Sequence, residues 1–235
     1  MVKSAIILAG GKGERLRPLT NRKPKVMVEV AGKPILVWQI EWLKSHGIKN
    51  FVLTVSYKYE VIQEYLGDGK KLGVNISYSI EEKPLGRGGA IKQALKNPVV
   101  ADDENFIVTN GDIITKLDLS KMIKKHESEG DLVTLLLVPY ISRWGVVNID
   151  SDNHITGFEE KPTLPYWING GIYVFNKDIE PLLPEIGDHE KETFPKIPKE
   201  KFLGYKDTGF WRAVDVVKDR SEAEAYLTVG QEKFS

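Results

Sequence analysis

The sequence predicts an α/β fold: a mixed, mainly parallel sheet covered by helices, with a small β region added in the second half. Three observations predict it. Short apolar runs alternate with amphipathic stretches through the first half, as repeated strand–helix units require. The first apolar run, Ala5-Ile6-Ile7-Leu8-Ala9, carries no polar alternation, so it reads as a strand buried on both faces. Beyond residue 131 the pattern changes to strands separated by turns.

Each element follows from its local pattern. Residues 4–9 form the first strand. Residues 34–46, P-I-L-V-W-Q-I-E-W-L-K-S-H, hold apolar side chains at helical spacing, with Pro34 at the start and Gly47 just past the end. Residues 50–55 read as a second strand and 59–66 as a second helix. Residues 74–80 alternate and give a third strand. A helix is expected to begin at Ala90 and include Leu95. Residues 106–109 form a fourth strand that ends in N-G-D, residues 110–112. Farther on, 132–139 is a strand, and 145–149 and 155–159 flank D-S-D-N as a hairpin. Residues 171–175 are another strand and 221–227 a helix. No internal repeat or low-complexity tract interrupts the pattern.

Composition removes several function classes. The chain has 235 residues, with Lys plus Arg and Asp plus Glu at 33 each. A neutral chain exerts no bulk pull on nucleic acid or an anionic membrane, so neither is expected as a partner. There is no cysteine, which excludes disulfides, thiolate zinc sites and a cysteine nucleophile. The histidines, His46, His126, His154 and His189, show no metal-ligand spacing. The first apolar run is too short for a signal peptide, and no run approaches a bilayer span. A cytoplasmic location is expected.

The opening loop, L-A-G-G-K-G-E-R-L-R-P-L-T at residues 8–20, puts three glycines directly after a buried strand. Glycines let backbone N–H groups approach an anion without a Cβ in the way. In open α/β sheets, ligands bind at the carboxyl ends of strands, where this loop lies. Arg15, Arg17 and Lys25 add positive charge nearby. A dinucleotide fingerprint fits poorly, because Leu16 occupies the third glycine position and no helix follows. The G-x-x-x-x-G-K-[ST] string of a P-loop is absent.

The stretch L-A-G-G-x-G-x-R-L-x-P-L-T, followed by K-P-K and G-K-P-I-L, resembles the sugar-1-phosphate nucleotidyltransferases. The resemblance continues in family order: E-E-K-P-L-G-R-G-G-A at 81–90, N-G-D at 110–112, E-E-K-P at 159–162, N-G-G-I-Y at 169–173 and G-F-W-R-A-V-D at 209–215. It implies a Rossmann-like nucleotide-diphospho-sugar transferase fold in one domain over residues 1–235. Residues 1–130 would form the nucleotide-binding half and 131–235 the sugar-phosphate half, with no C-terminal β-helix. Some family members dimerise through this domain, so a homo-oligomer stays open.

The implied reaction joins a nucleoside triphosphate to a sugar 1-phosphate and releases pyrophosphate. Its nucleophile is already anionic, so positioning and charge neutralisation should carry catalysis. A divalent cation, Mg2+, is the implied cofactor. By resemblance, Arg15 neutralises the leaving pyrophosphate, Lys25 contacts the reacting phosphates and Asp112 holds the metal. Leu8, Gly10, Gly11, Gly13, Glu81, Pro84 and Gly86 are expected to bind the nucleotide. Gly145, Glu160, Lys161, Asn169 and Gly170 are expected to bind the sugar phosphate. Many members carry a second metal Asp two residues after a Trp, and here that place is Ala213. One branch places it four residues after, which selects Asp215.

By resemblance, the 81–90 loop lies along the base, and pyrimidine-using relatives often carry Gln where this chain has Glu81. A carboxylate can accept two hydrogen bonds from the N1–H and N2–H2 edge of guanine and would oppose a carbonyl of uracil or thymine. This favours GTP, with mannose 1-phosphate or a related sugar, and the segment also resembles heptose and mannose guanylyltransferases. The F-W-x-x-x-D ending occurs in cytidylyltransferases, so UTP, dTTP and CTP stay open. A non-catalytic, nucleotide-sugar-sensing subunit is the alternative from another class.

Overall fold

The structure is a computed structural model that describes residues 2–229. In chain order, the strands that build and position the site are β1 (Ser4–Leu8), β2 (Asn50–Val55), β3 (Asn75–Ile80), β4 (Asn105–Asn110), β5 (Ile113–Thr115), β6 (Val133–Ile141), β7 (Val146–Ile149), β8 (Ile155–Glu159), β9 (Thr163–Asn176), β10 (Phe202–Lys206) and β11 (Trp211–Ala213). The helices that cover the sheet and position the site are α1 (Ile35–Ser45), α2 (Tyr59–Leu66), α3 (Gly86–Leu95), α4 (Leu119–Glu129), α5 (His189–Glu192) and α6 (Val217–Val229).

Seven strands form one sheet in the order β10-β6-β9-β4-β1-β2-β3. Strand β1 pairs in parallel with β2 and β4, and β2 with β3. Strand β9 runs antiparallel to both β4 and β6, while β10 returns parallel to β6. The sheet is therefore mixed and mainly parallel, and it draws strands from both halves of the chain. Strands β7 and β8 form a separate antiparallel hairpin.

Burial on both faces explains the unbroken apolar run in β1. Ile7 packs with Leu53 and Ile107 on the face covered by Leu36, Ile40 and Leu43 of α1, Ile62 of α2 and Met122 of α4. Ile6 packs with Val52 and Val108 on the opposite face, under Ile91, Ala94 and Leu95 of α3. Removing one such side chain from water contributes about 1.5–3 kcal/mol. A third cluster gathers Leu16, Val28, Ile35, Ile114 and Val214 beneath the loop and α6. Among the described residues, no helix is long and apolar enough to cross a membrane.

Several boundaries differ from the sequence reading. Helix α3 starts at Gly86, four residues before Ala90, and so runs through the G-R-G-G string. Strand β9 spans Thr163–Asn176, longer than 171–175, because its first part extends along the outer end of β6. Helix α4 was not anticipated. Its buried positions, Leu119, Met122, Ile123 and His126, have helical spacing, but the last is a histidine and the apolar signal fades there. The short pair β5 and β11 and the edge strand β10 were also missed; three to five residues are too few to show a period.

Candidate active site

A cleft of about 430 Å³ opens at the carboxyl ends of β1, β2 and β4. Leu8, Gly10, Gly11, Lys25, Glu81, Pro84, Gly86 and Asp112 line it, together with Lys12, Ser56, Arg87, Asn110 and Gly111. Gly13 and Arg15 are not part of that lining. Neither are Gly145, Glu160, Lys161, Asn169 and Gly170.

The glycine-rich loop is braced from below. The backbone N–H of Lys25 donates to the Gly11 carbonyl, and the Thr20 hydroxyl donates to the Gly13 carbonyl at 2.7 Å. Gly13 has φ +66, and a Cβ there would lie 2.9 Å from both Lys25 Cβ and Thr20 Cγ2. At Gly10 a Cβ would lie 2.9 Å from Ser56 Oγ and 3.3 Å from Glu81 Oε1. A side chain is therefore disfavoured at both positions, most strongly at Gly13, where the left-handed backbone adds to the crowding. Gly11 is different: nothing lies within 4 Å of the Cβ it lacks. No contact within the chain demands a glycine there.

The charged centre is built by a short ladder. Trp211, Arg212 and Ala213 of β11 pair with Thr115, Ile114 and Ile113 of β5, and the Val214 N–H donates to the Asp112 carbonyl at 2.9 Å. Asp112 thus precedes β5 while Asp215 follows β11, so their carboxylates converge. Lys25 Nζ lies 2.5 Å from Asp112 Oδ2 and 2.5 Å from Asp215 Oδ1. Arg15 reaches the same Asp215 oxygen at 2.9 Å. Ala213 opposes Ile113 in the ladder and packs, partly buried, against the core. Behind the turn, the buried Gln39 amide of α1 donates to the Asn110 carbonyl at 2.5 Å and fixes the end of β4.

Burial opposes the charge on Lys25, but Asp112 and Asp215 together outweigh it and hold the ammonium above the ordinary lysine range. Burial also opposes the charge on Asp215, where Lys25 and Arg15 prevail and depress its carboxyl below the usual range. The other Asp112 oxygen, Oδ1, is buried with no hydrogen-bond partner. A buried carboxylate oxygen without a donor, beside a second carboxylate, fits a hard divalent cation.

On the opposite wall, Glu81 follows β3. Its Oε2 accepts from the Leu85 N–H at 3.0 Å, and burial raises its carboxyl above the ordinary range despite that bond. Gly86, Gly88 and Gly89 at the start of α3 meet the segment before α5 main chain to main chain. The Gly88 N–H donates to the Gly187 carbonyl at 2.9 Å, and the Gly187 N–H to the Leu85 carbonyl at 2.8 Å. A Cβ on Gly86 or Gly89 would collide with the carbonyl of Gly187 or Glu185.

The residues expected at the sugar phosphate fall into two groups. Glu160 and Lys161 are exposed at the base of the β7–β8 hairpin and pair with each other at 2.6 Å. A Cβ on Gly145 would strike the Phe158 ring and lie 3.1 Å from Glu160 Oε2, so Gly145 belongs beside them. Asn169 and Gly170 lie on β9, where the Gly170 carbonyl accepts from Trp211 Nε1 at 2.8 Å. The hairpin turn itself gathers Asp150, Asp152 and His154, all exposed. There Asp150 Oδ1 accepts the backbone N–H groups of Asp152 and His154 at 2.9 Å, which is ordinary turn capping. Sequence reasoning did not single out Lys12, Arg87 or Gln39. Arg87 stands within a quoted motif, while Gln39 gives no signal beyond being a polar residue inside an apolar helix.

The chain is similar to several known proteins. A D-glycero-alpha-D-manno-heptose 1-phosphate guanylyltransferase of Campylobacter jejuni is 42% identical over 203 residues, 86% of this chain and 87% of that protein. A mannose-1-phosphate guanylyltransferase catalytic subunit beta of Drosophila melanogaster is 38% identical over 222 residues, 92% of this chain but 60% of that longer protein. The crystal structure of HddC from Yersinia pseudotuberculosis complexed with GMP-PN superposes with a TM-score of 0.77 at 29% identity, covering 96% of this chain and 100% of that one. Residues 4–220 match the family described as Nucleotidyl transferase. The chain belongs to the nucleotidyl transferase family.

Proposed function

We propose that the protein converts a nucleoside triphosphate and a sugar 1-phosphate to a nucleotide sugar and pyrophosphate, with GTP as donor and mannose 1-phosphate or a related sugar, such as a heptose 1-phosphate, as acceptor. The observation that carries this reading is the convergence of Asp112, Asp215, Lys25 and Arg15 beside a glycine-rich loop that is open above Gly11. The guanylyltransferase names of the relatives and the GMP-PN complex of the solved neighbour support GTP.

A phosphate oxygen of the sugar 1-phosphate attacks the α-phosphorus of the triphosphate. The new P–O bond forms as the bond from the α-phosphorus to the bridging oxygen breaks, and that electron pair leaves on pyrophosphate. The attacking oxygen is already ionised, so no side chain has to remove a proton from it. Repulsion between anions is the obstacle, and fixed positive charge lowers it. The N–H groups of the opening loop cradle the triphosphate, Arg15 faces the departing pyrophosphate and Lys25 faces the reacting phosphates. Mg2+, when held by Asp112 and Asp215, supplies further charge neutralisation on the phosphates. Glu81 faces the base, with Leu8, Pro84 and Gly86 around it. Glu160 and Lys161, with Gly145, Asn169 and Gly170, hold the sugar phosphate.

The test is pyrophosphate release with magnesium across GTP, UTP, CTP, dTTP and ATP, each against mannose, glucose, galactose and heptose 1-phosphates. Turnover with GTP and a manno-configured sugar is the expected result. A pyrimidine preference overturns the base assignment. Silence from folded protein that binds nucleotide overturns the catalytic reading in favour of a sensing role.

A further inference from the structure

Glu190, in the short helix α5, joins two parts of the molecule that lie far apart in sequence. Its Oε1 accepts from Asn169 Nδ2 at 2.9 Å, from the Tyr173 hydroxyl at 3.0 Å and from an Arg87 guanidinium nitrogen at 2.9 Å. Its Oε2 accepts from a second Arg87 nitrogen at 2.9 Å. The same guanidinium also spans to Asp188 Oδ2, at 2.9 and 2.6 Å. Arg87 lines the cleft and Asn169 lies on β9. One carboxylate therefore touches both sides.

Counting donors and acceptors fixes the Asn169 amide. An amide side chain has two N–H donors and an oxygen with two lone pairs. The nitrogen gives one bond to Glu190 and one to the Tyr173 hydroxyl, at 2.9 Å each. The oxygen accepts the Gly171 N–H at 2.7 Å. One lone pair on Oδ1 is all that remains. Rotating the amide by half a turn would set its oxygen against the Glu190 carboxylate and its NH2 against the Gly171 N–H, so both contacts would become repulsive. Tyr173 cannot reverse the order, because its hydroxyl donates to Glu190 while it accepts from Asn169.

We propose that Glu190 is a positioning residue that locks the Asn169 amide so that it accepts a hydrogen bond from one hydroxyl of the sugar. The bidentate contact with Arg87 holds the Glu190 carboxylate in place. The sugar site then requires a hydroxyl donor at that position and rejects an analogue that lacks it. This inference rests on the sugar 1-phosphate reading given above.

The test uses wild type, Glu190→Gln and Asn169→Ala with the parent sugar 1-phosphate and its monodeoxy analogues. In wild type, one deoxy analogue loses about tenfold or more in kcat/KM, the scale of one hydrogen bond to a positioned partner. In Glu190→Gln the KM for the parent sugar phosphate rises by a similar factor, and that deoxy analogue is no worse than the parent. A residue that only supports the fold would weaken both substrates and leave the deoxy penalty intact, and that outcome overturns the proposal. The Asn169 side-chain amide signals, followed by nitrogen-15 NMR, need no turnover. They shift in Glu190→Gln while signals of distant amides stay put. Unmoved Asn169 signals overturn the lock. If wild type turns over no sugar phosphate but the signals shift, the lock stands and the substrate reading falls.

Discussion

Lys25 Nζ donates to Asp112 Oδ2 at 2.5 Å, across 87 residues of sequence. The ammonium occupies the space between two carboxylates that also suit a divalent cation. A divalent cation on Asp112 and Asp215 would share these carboxylates with Lys25, which holds Asp112 Oδ2 and Asp215 Oδ1 and leaves Asp112 Oδ1 open. Lys25→Met should therefore tighten manganese binding to the nucleotide-free protein by about fivefold or more, since an ion pair of this kind is worth at least about 1 kcal/mol when partly buried. A manganese titration followed by electron paramagnetic resonance reads this directly. Turnover in the same variant should fall by about a hundredfold, as when one transition-state donor is removed. Unchanged manganese affinity would show that Lys25 does not contest the site.

Asp215 and Ala213 should behave differently. Asp215→Ala is expected to reduce pyrophosphate release by at least about a hundredfold while thermal unfolding stays cooperative. Adding Ala213→Asp should not restore it, because residue 213 opposes Ile113 and packs on the core. Recovery of activity in the double variant would refute the assignment of Asp215.

The three loop glycines separate folding from binding. Gly11→Ala should leave the melting temperature within about 2 °C of wild type, because its Cβ meets nothing in the chain. Its KM for the triphosphate should rise several-fold. Gly13→Ala should instead destabilise the protein by about 1–2 kcal/mol, since the left-handed backbone and two close contacts both resist a methyl group. Denaturant melts and steady-state kinetics on the two variants distinguish the effects.

Glu81→Gln tests the reading of the base. A glutamine can still accept the Leu85 N–H through its oxygen, and it then turns its NH2 towards the cleft. The expected result is a loss in kcat/KM for GTP of about tenfold or more, with a smaller loss or a gain for UTP and dTTP. Equal losses for all nucleotides would remove Glu81 from base selection.

Two histidines should make the fold acid-labile. Burial holds both His126 and His189 down to about 4, against Glu127 for His126 and, for His189, against Glu190 and Asp188 with Arg87 reinforcing the burial. Neither nitrogen of His189 has a hydrogen-bond partner. Above pH 6.5 both are neutral in the folded and unfolded chains, and the full stability is present. As pH falls from 6.5 towards 4, the unfolded chain binds protons that the native state excludes, so stability drops by up to about 1.4 kcal/mol per pH unit for each histidine. His189→Phe, placed among Tyr173, Phe175 and Phe194, should flatten that slope by about one proton. Urea melts between pH 7 and pH 4.5 check this.

Most of the parallel half of the fold was legible because its longer strands and helices carry local apolar patterns. The doubly buried β1 and the amphipathic α1 are local statements that burial on both sides of the sheet explains. The meeting of Asp112 and Asp215 was legible only as a resemblance, since the ladder that joins them has three residues per strand. The N-terminal end of α3 was misread because Gly86, Gly88 and Gly89 look like loop residues; their partner is a backbone about a hundred positions away. Glu190 carries no local signal. Its meaning arises from Arg87 and Asn169, which long-range packing alone brings to it.

The junction of α3 with the segment before α5 is made of main chain on main chain, and this limits how the protein can change. A joint of side chains can be retuned by exchanging one residue for a slightly larger or smaller one. Here the smallest possible increment, a methyl group on Gly86 or Gly89, already meets a carbonyl oxygen. Drift and engineering alike have no gradual route through this joint. Alterations of substrate range would have to come from the walls on either side of it, around Glu81 and around Asn169, while the joint itself stays fixed.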